Sequence, residues 1–125
     1  MSEIIVDSRE PQILARWWAD VPAYRLEDPA PQGWVGISPW PESDAPDEGA
    51  YRGGPQLTRI VFVPVGEAKS TKNRVHLDVW AFDRSQEEEV AWLISRGARK
   101  VDVGQVDVPW EVMADPEDNE FCVLG

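Results

Sequence analysis

The order of the predicted strands and helices constrains the fold of this chain more than any other feature. Residues 3–7, "EIIVD", form a short β-branched run that is typical of a strand. The stretch "SREPQILARWWADV" then repeats apolar residues at helical spacing, with Ser8 as a candidate cap and Pro11 suited to the first turn. Three further strand patterns follow, at 23–28, 34–38 and 56–65. The first half therefore reads β-α-β-β-β.

The second half repeats this order with little identity of sequence. Residues 74–80, "RVHLDVW", alternate as a strand does, and residues 83–97 have the caps and acidic first turn of a helix. Asp83 or Ser85 is the expected cap and Gly97 the expected end of this helix. Three more short strands are predicted, at 98–103, 110–115 and 120–124. An apolar stripe on the helix is predicted at Val90, Leu93 and Ile94.

A repeated β-α-β-β-β order predicts how the core is built. Each half provides an incomplete sheet and one covering helix, so neither half buries both sheet faces alone. We therefore expect an α+β fold of two paired βαβββ modules, joined in a curved eight-stranded mixed sheet with the helices outside and a concave cleft inside. The 125 residues fit one domain, 1–125, with module one at about 1–66 and module two at about 72–125.

Charge and composition restrict the classes of partner. The formal net charge is −11, which repels phosphate backbones, argues against nucleic acid and favours a cationic ligand or simple solubility. No apolar run is long enough to cross a membrane, and the single cysteine, Cys122, fits a reducing compartment, so we expect a cytoplasmic protein. The loop 39–55, rich in Pro, Gly and acidic residues, is either a lid over the cleft or ordinary surface.

Two strands place polar side chains on one face. Because side chains alternate along a strand, His76, Asp78 and Trp80 share a face in the strand 74–80. The same alternation puts Glu120 and Cys122 together in the last strand. The only histidine and a late carboxylate are therefore candidates for metal binding or proton transfer.

The quoted stretches "KNRVHLD", "RGARKVDVGQVDVPWEVMADPEDNEFCV" and "REPQILARWWADV" resemble the glyoxalase-like branch of the vicinal oxygen chelate superfamily. This superfamily includes glyoxalase I, extradiol dioxygenases, fosfomycin-modifying enzymes and bleomycin-binding proteins. The resemblance implies paired βαβββ modules and, in the enzymes, a divalent metal whose ligands come from the first and last strand of each module. It carries those ligand positions onto His76 and Glu120.

In the first module the same resemblance points to Glu3 and Gln56, although a shift of two residues would put Ile5 in the place of Glu3. The implied metal is Zn, Ni, Fe or Mn, acting as a Lewis acid in lyase- or isomerase-type chemistry. His76 and Glu120 are then the catalytic residues, and Glu120 or Glu3 moves protons. Whether the chain is an enzyme stays open at this point.

The alternative is a metal-free protein that binds a small organic molecule, similar to the bleomycin-binding, drug-resistance members. His76 would then be a structural histidine bonded to Asp78, and Glu120 a solvated residue after a turn. The cleft would hold a cationic aromatic compound, with Trp80 and Trp110 as wall residues beside Asp78 and Cys122. Cys122 is expected to be buried and inert. Homodimerisation is a further expectation from the resemblance. Three other tryptophans are expected to pack in the core between helix and sheet, namely Trp17, Trp18 and Trp92.

Overall fold

The structure is a computed structural model that describes residues 3–41 and 57–125. The chain divides into two compact units, Met1–Glu67 and Ala68–Gly125. Each unit contains one β-α-β-β-β series, so the predicted α+β fold of two βαβββ modules is confirmed. Gln56 and most of the predicted loop, residues 42–55, lie outside the described residues.

Module one forms a four-stranded sheet with the strand order β1-β4-β3-β2. The edge strand β1 pairs in parallel with its neighbour β4, whereas the pairs β3–β4 and β2–β3 are antiparallel. Its elements are β1 (Glu3–Ser8), α1 (Pro11–Asp20), β2 (Arg25–Leu26), β3 (Val35–Ser38) and β4 (Arg59–Pro64).

Module two forms a second four-stranded sheet with the equivalent order β5-β8-β7-β6. Here β5 and β8 are parallel, and the other pairs are antiparallel. Its elements are β5 (Leu77–Trp80), α2 (Gln86–Ser95), β6 (Arg99–Lys100), β7 (Glu111–Ala114) and β8 (Glu120–Leu124). Both modules therefore place their first and last strands side by side, running in the same direction.

Helix α1 packs its apolar face onto the sheet of module one. Trp17 and Trp18 are both buried and meet edge to face, with ring centroids 5.2 Å apart. Their predicted role in the core is confirmed. Ser8, however, is not the cap: it ends β1 as a buried residue, and Glu10 holds the N-cap position of α1 without a side-chain bond to the N-terminal N–H groups of the helix.

Helix α2 begins at a complete capping box. The Ser85 side chain accepts from the backbone N–H of Glu88, and the Glu88 carboxylate accepts from the backbone N–H of Ser85. At the other end Gly97 has φ +100°, the left-handed conformation in which glycine commonly ends a helix. The sequence predicted both ends correctly.

The buried face of α2 differs from the predicted stripe. Val90 and Leu93 are buried, but Ile94 is 47% exposed. Trp92 is only half-buried and is not a core residue. The guanidinium groups of Arg84 and Arg96 lie over its ring, 4.9 Å and 5.0 Å from the ring centroid. No helix of the described residues is long and apolar enough to cross a membrane.

Candidate functional site

The parallel pair β5–β8 determines which side chains of module two can act together. Asp78 lies directly opposite Cys122, and Leu77 lies opposite Phe121. Phe121 is fully buried, whereas Asp78 and Trp80 are exposed, so the predicted alternation is correct for residues 77–80. The strand predicted at 74–80 begins only at Leu77, and Val75 is 78% exposed. His76 immediately precedes β5, and Glu120 is the first residue of β8, so both residues lie at the same edge of this parallel pair.

Three potential ligand side chains converge on this face. One donor atom from each of His76, Asp78 and Cys122 lies within 4.8 Å of the other two. The His76 Nε2 is 3.4 Å from an Asp78 carboxylate oxygen, and both side chains are about half exposed, whereas Cys122 is buried. The cluster therefore has a buried sulfur and two accessible donors above it.

Cys122 is a protonated thiol in this environment. Burial, the charge of Asp78 and a hydrogen bond to its carboxylate raise the pKa of Cys122 to about 11, despite the opposing effect of nearby Lys72. The predicted burial of Cys122 is confirmed, and its inertness stays a prediction.

Glu120 is bound by Lys69 and Asn73, two residues that were not predicted from the sequence. Its carboxylate is 2.9 Å from the Lys69 ammonium group and accepts a hydrogen bond of 2.9 Å from the backbone N–H of Asn73. Both partners lie in the loop just before β5. The Glu120 and Lys69 side chains are only 13% and 17% exposed, so water weakens their attraction little.

The pKa of Glu120 reflects this competition. Burial opposes ionisation of the carboxyl group, but the Asn73 N–H and the Lys69 charge outweigh burial and lower the pKa. Glu120 is thus an ionised carboxylate whose charge is already neutralised by a neighbouring lysine.

The corresponding edge of module one also holds its carboxylate in an ion pair. Glu3 lies opposite Arg59 in the β1–β4 ladder, and its carboxylate is 2.7 Å from the Arg59 guanidinium. Arg59 also binds the Glu27 carboxylate through two N–H groups, at 2.8 Å and 2.5 Å. These bonds raise the pKa of Arg59, although its burial opposes the rise. Arg59 is therefore a fixed cation beside Glu3.

Gly36 leaves room for this cluster. A Cβ atom at Gly36 would overlap the Glu27 carboxylate and would come 2.7 Å from an Arg59 nitrogen. A larger residue on β3 would therefore push the ends of the Glu27 and Arg59 side chains away from their present positions. Arg59 is the first residue of β4 and Glu120 is the first residue of β8, so the last strand of module one begins with a cation and that of module two begins with a carboxylate.

The two candidate wall tryptophans of module two are both accessible. Trp80, the last residue of β5, is 55% exposed on the same face as Asp78. Trp110 is 38% exposed and immediately precedes β7, where Val112 lies opposite Cys122. By alternation Trp110 continues the face of Val112, and hence that of Cys122.

The donor set implied by the family resemblance fits a metal poorly in the described residues. Glu3 and Glu120 are each already paired with a cation, so a metal would have to displace Arg59 or Lys69 first. His76 instead has Asp78 and Cys122 within reach. The chemistry of the described residues therefore favours a different set around His76 from the one that the resemblance implies.

Lys69 and Asn73 could not be identified from local periodicity, because they lie in the polar segment "GEAKSTKN", which has no repeating pattern. Only the parallel pairing of β5 with β8 could have indicated that these two residues contact Glu120. Parallel strands start at the same sheet edge, so the residues that precede β5 must lie beside the start of β8. A second contact at this edge, from the Asn73 side-chain amide to the Asn119 side-chain oxygen at 3.3 Å, follows from the same geometry.

Comparison with known proteins agrees with this architecture. The structure is similar to that of the fosfomycin resistance protein FosX of Mesorhizobium loti, at 11% identity and a TM-score of 0.62, over 99% of this chain and 89% of that one. It is also similar to a glyoxalase/bleomycin resistance protein/dioxygenase family enzyme of Burkholderia phytofirmans, at 15% identity and a TM-score of 0.61, over 98% and 94% of the two chains.

A mutant of FosX from Listeria monocytogenes, solved with Mn(II) and 1S,2S-dihydroxypropylphosphonic acid, has a TM-score of 0.66 at 9% identity, over 99% of this chain and 87% of that one. At these identities the likeness concerns the fold. No curated protein matches the sequence significantly. The family described as the glyoxalase-like domain matches residues 3–124, and the chain therefore belongs to the glyoxalase-like domain family.

Proposed function

We propose that this protein binds a small organic molecule, of the cationic aromatic class, on the face of module two that displays Asp78 and Trp80. This proposal is based on Asp78 and Trp80. The first offers an accessible carboxylate and the second an accessible indole, and they lie two residues apart on the same face of β5. A flat cationic ligand could stack on the indole and place its charge near the carboxylate.

The state of Glu120 supports binding over the metal-dependent chemistry implied by the resemblance. A carboxylate that is paired with Lys69 at 2.9 Å and bonded to a backbone N–H offers little to an incoming metal. The predicted metal set of His76, Glu120, Gln56 and Glu3 thus loses two ready donors, and Gln56 lies outside the described residues. Trp110 and Cys122 remain candidate contacts of the ligand.

Metal-assisted lyase or isomerase chemistry is the second candidate. Two observations favour it: the convergence of His76, Asp78 and Cys122, and the Mn(II) complex of the similar FosX mutant. In this form a divalent metal would polarise a substrate oxygen. Residues of this chain would hold the metal and orient the substrate, and Trp80 would cover one side of it.

The formal net charge of −11 favours a cationic ligand over an anionic one. An overall negative field attracts cationic compounds and repels phosphonates. We therefore expect the ligand to differ from the phosphonate bound by the FosX mutant. A shared cleft between the modules, a homodimer and a cytoplasmic location remain predictions that accompany this proposal.

Thermal unfolding of the chelator-treated protein tests the proposal. Bleomycin serves as the cationic aromatic probe and fosfomycin as the phosphonate probe. We expect bleomycin to raise the Tm and to bind in isothermal calorimetry, because a ligand stabilises only the state that binds it. Fosfomycin should produce no shift.

Two single-tryptophan variants make this test specific. Trp80→Ala should weaken bleomycin binding about 2- to 30-fold, the range expected for a lost cation–aromatic contact. Trp92→Ala is the matched control, because Trp92 lies on α2 against two arginines, and it should bind as the wild type does. Equal binding by both variants, or no binding of bleomycin by the wild type, would overturn the proposal.

A further inference from the structure

We propose that His76, Asp78 and Cys122 form a zinc site, in which Asp78 and Cys122 bind the metal instead of Glu120, the ligand that the family resemblance indicates two residues before Cys122 on β8. This zinc site goes beyond the proposed ligand-binding function and does not depend on it. Zinc and the cationic ligand both use the Asp78 carboxylate, so they bind alternative states of the protein. The site identifies which side chains of this chain bind a cation, and it assigns a role to Asp78 and Cys122 together.

The parallel ladder places Asp78 and Cys122 as direct partners. His76 lies two residues before Asp78, just outside β5, and its Nε2 is 3.4 Å from the Asp78 carboxylate. Donors that each lie about 2.0–2.3 Å from one zinc ion in tetrahedral geometry are roughly 3.3–3.7 Å apart. The three donor atoms lie within 4.8 Å of one another, so zinc binding requires the side chains to move together by about 1 Å through rotation.

The donor types favour zinc over manganese or magnesium. Imidazole nitrogen, thiolate sulfur and one carboxylate oxygen are typical zinc ligands, whereas Mn²⁺ and Mg²⁺ prefer sites made mainly of oxygen. Three protein ligands also leave a fourth position for water or a ligand atom. The half-exposed His76 and Asp78 side chains give solvent access to that position.

Glu120 is kept out of this site by its own contacts. The Lys69 ammonium group and the Asn73 N–H occupy both carboxylate oxygens, at 2.9 Å each. Recruiting Glu120 would leave a largely buried lysine without its partner. Binding through Asp78 and Cys122 leaves this ion pair intact.

The proton balance of the site is simple. The Cys122 thiol binds as a thiolate, so the S–H bond breaks, a Zn–S bond forms and one proton passes to the buffer. No electron is transferred. Zinc binding should therefore release about one proton and strengthen as the pH rises.

Cobalt substitution of the full chain tests the ligand set directly. Co²⁺ bound by a thiolate has a sulfur-to-cobalt charge-transfer absorption in the near ultraviolet, so this band is expected in the wild type. It should disappear in Cys122→Ser, which keeps the side-chain volume similar. Zinc affinity, measured by competition with a chromophoric chelator, should fall in His76→Gln and Asp78→Asn by more than the roughly 10- to 100-fold that loss of an outer-shell partner costs.

Glu120→Gln is the matched control and should retain the cobalt band and the zinc affinity. Circular dichroism and thermal unfolding of every variant show that the fold is preserved. The inference is overturned if the wild type lacks the band, if Cys122→Ser retains it, or if Glu120→Gln loses metal while Cys122→Ser binds normally. Because the bleomycin experiment uses chelator-treated protein, failure of the zinc site and failure of the proposed function give distinct results.

Discussion

Replacing Lys69 by methionine should destabilise the protein in a way that depends on pH. At 2.9 Å and an effective dielectric constant of about 20, the Lys69–Glu120 attraction is about 6 kcal/mol. Desolvation of both groups and the lost freedom of the lysine side chain offset most of it. Fully exposed pairs contribute about 0–1 kcal/mol, and breaking buried pairs costs about 3–5 kcal/mol. With side chains 17% and 13% exposed, we expect a loss of about 1–3 kcal/mol in the free energy of unfolding at pH 7.

The sign of the pH dependence follows from the pKa of Glu120. In the wild type this pKa is lowered, so the stability due to the carboxylate is present above the unfolded pKa and is lost as pH falls through the folded pKa. In Lys69→Met burial is no longer opposed by the lysine, and the pKa of Glu120 rises. The difference between wild type and variant should therefore be largest near pH 7 and should shrink at an acid pH below the lowered pKa of Glu120, where its carboxyl group is protonated in both proteins.

Urea unfolding followed by tryptophan fluorescence at the two pH values measures the effect. Lys69→Met/Glu120→Gln should recover most of the loss at pH 7, because glutamine accepts the Asn73 N–H without needing a cation. Lys100→Met is the matched control: its partner Glu111 is 3.2 Å away, but both side chains are about half exposed, so the expected loss is below about 1 kcal/mol. A loss at Lys69 equal to this control, or one independent of pH and of Glu120, would refute the reasoning.

Three further predictions concern local features. Gly36→Ala should lose about 1–3 kcal/mol of unfolding free energy because its Cβ would displace the adjacent glutamate–arginine pair, whereas Gly66→Ala, which has open space around it, should be nearly neutral in the same urea titration. Ser85→Ala should cost about 1 kcal/mol through loss of the capping box, measured by thermal unfolding, and a change under about 0.3 kcal/mol would contradict the assigned cap. Asp78→Asn should speed alkylation of Cys122 at pH 8 in metal-free protein, because removing the carboxylate charge lowers the thiol pKa from about 11, and an unchanged rate would show that burial alone controls reactivity.

The element order was predictable from sequence because each element carries a local signal. β-branched runs, helical spacing and the residues at Ser85 and Gly97 act over a few positions, and the structure reproduces their order in both modules. The alternation of "HLDVW" also predicted correctly that Asp78 and Trp80 are more exposed than Leu77 and Val79. Periodicity reports the local face of a strand well.

The errors arise where tertiary contacts override local patterns. On α2 the side chain of Glu89 is buried and lies 3.1 Å from Arg84, which displaces the expected apolar stripe and leaves Ile94 exposed. A charged side chain that is buried together with its partner depends on tertiary contacts, and the spacing of apolar residues in the sequence does not predict it. Trp92, expected in the core, instead contacts Arg84 and Arg96 from the surface.

The candidate site was predictable only in part for the same reason. His76, Asp78, Glu120 and Cys122 were identified from strand parity, but parity does not say which cations neutralise a carboxylate. The Lys69–Glu120 contact joins residues 51 positions apart in sequence. It depends on the parallel pairing of β5 with β8, which the element order allows but the local sequence does not reveal.

Zinc X-ray absorption of the metal-loaded protein tests the central claim most directly, namely that the metal donors of this face are His76, Asp78 and Cys122. The account predicts one sulfur scatterer at about 2.3 Å together with nitrogen and oxygen scatterers at about 2.0–2.2 Å. The sulfur contribution should vanish in Cys122→Ser. A spectrum of the wild type fitted by nitrogen and oxygen alone would contradict the claim and would return Glu120 to the place of the missing ligand.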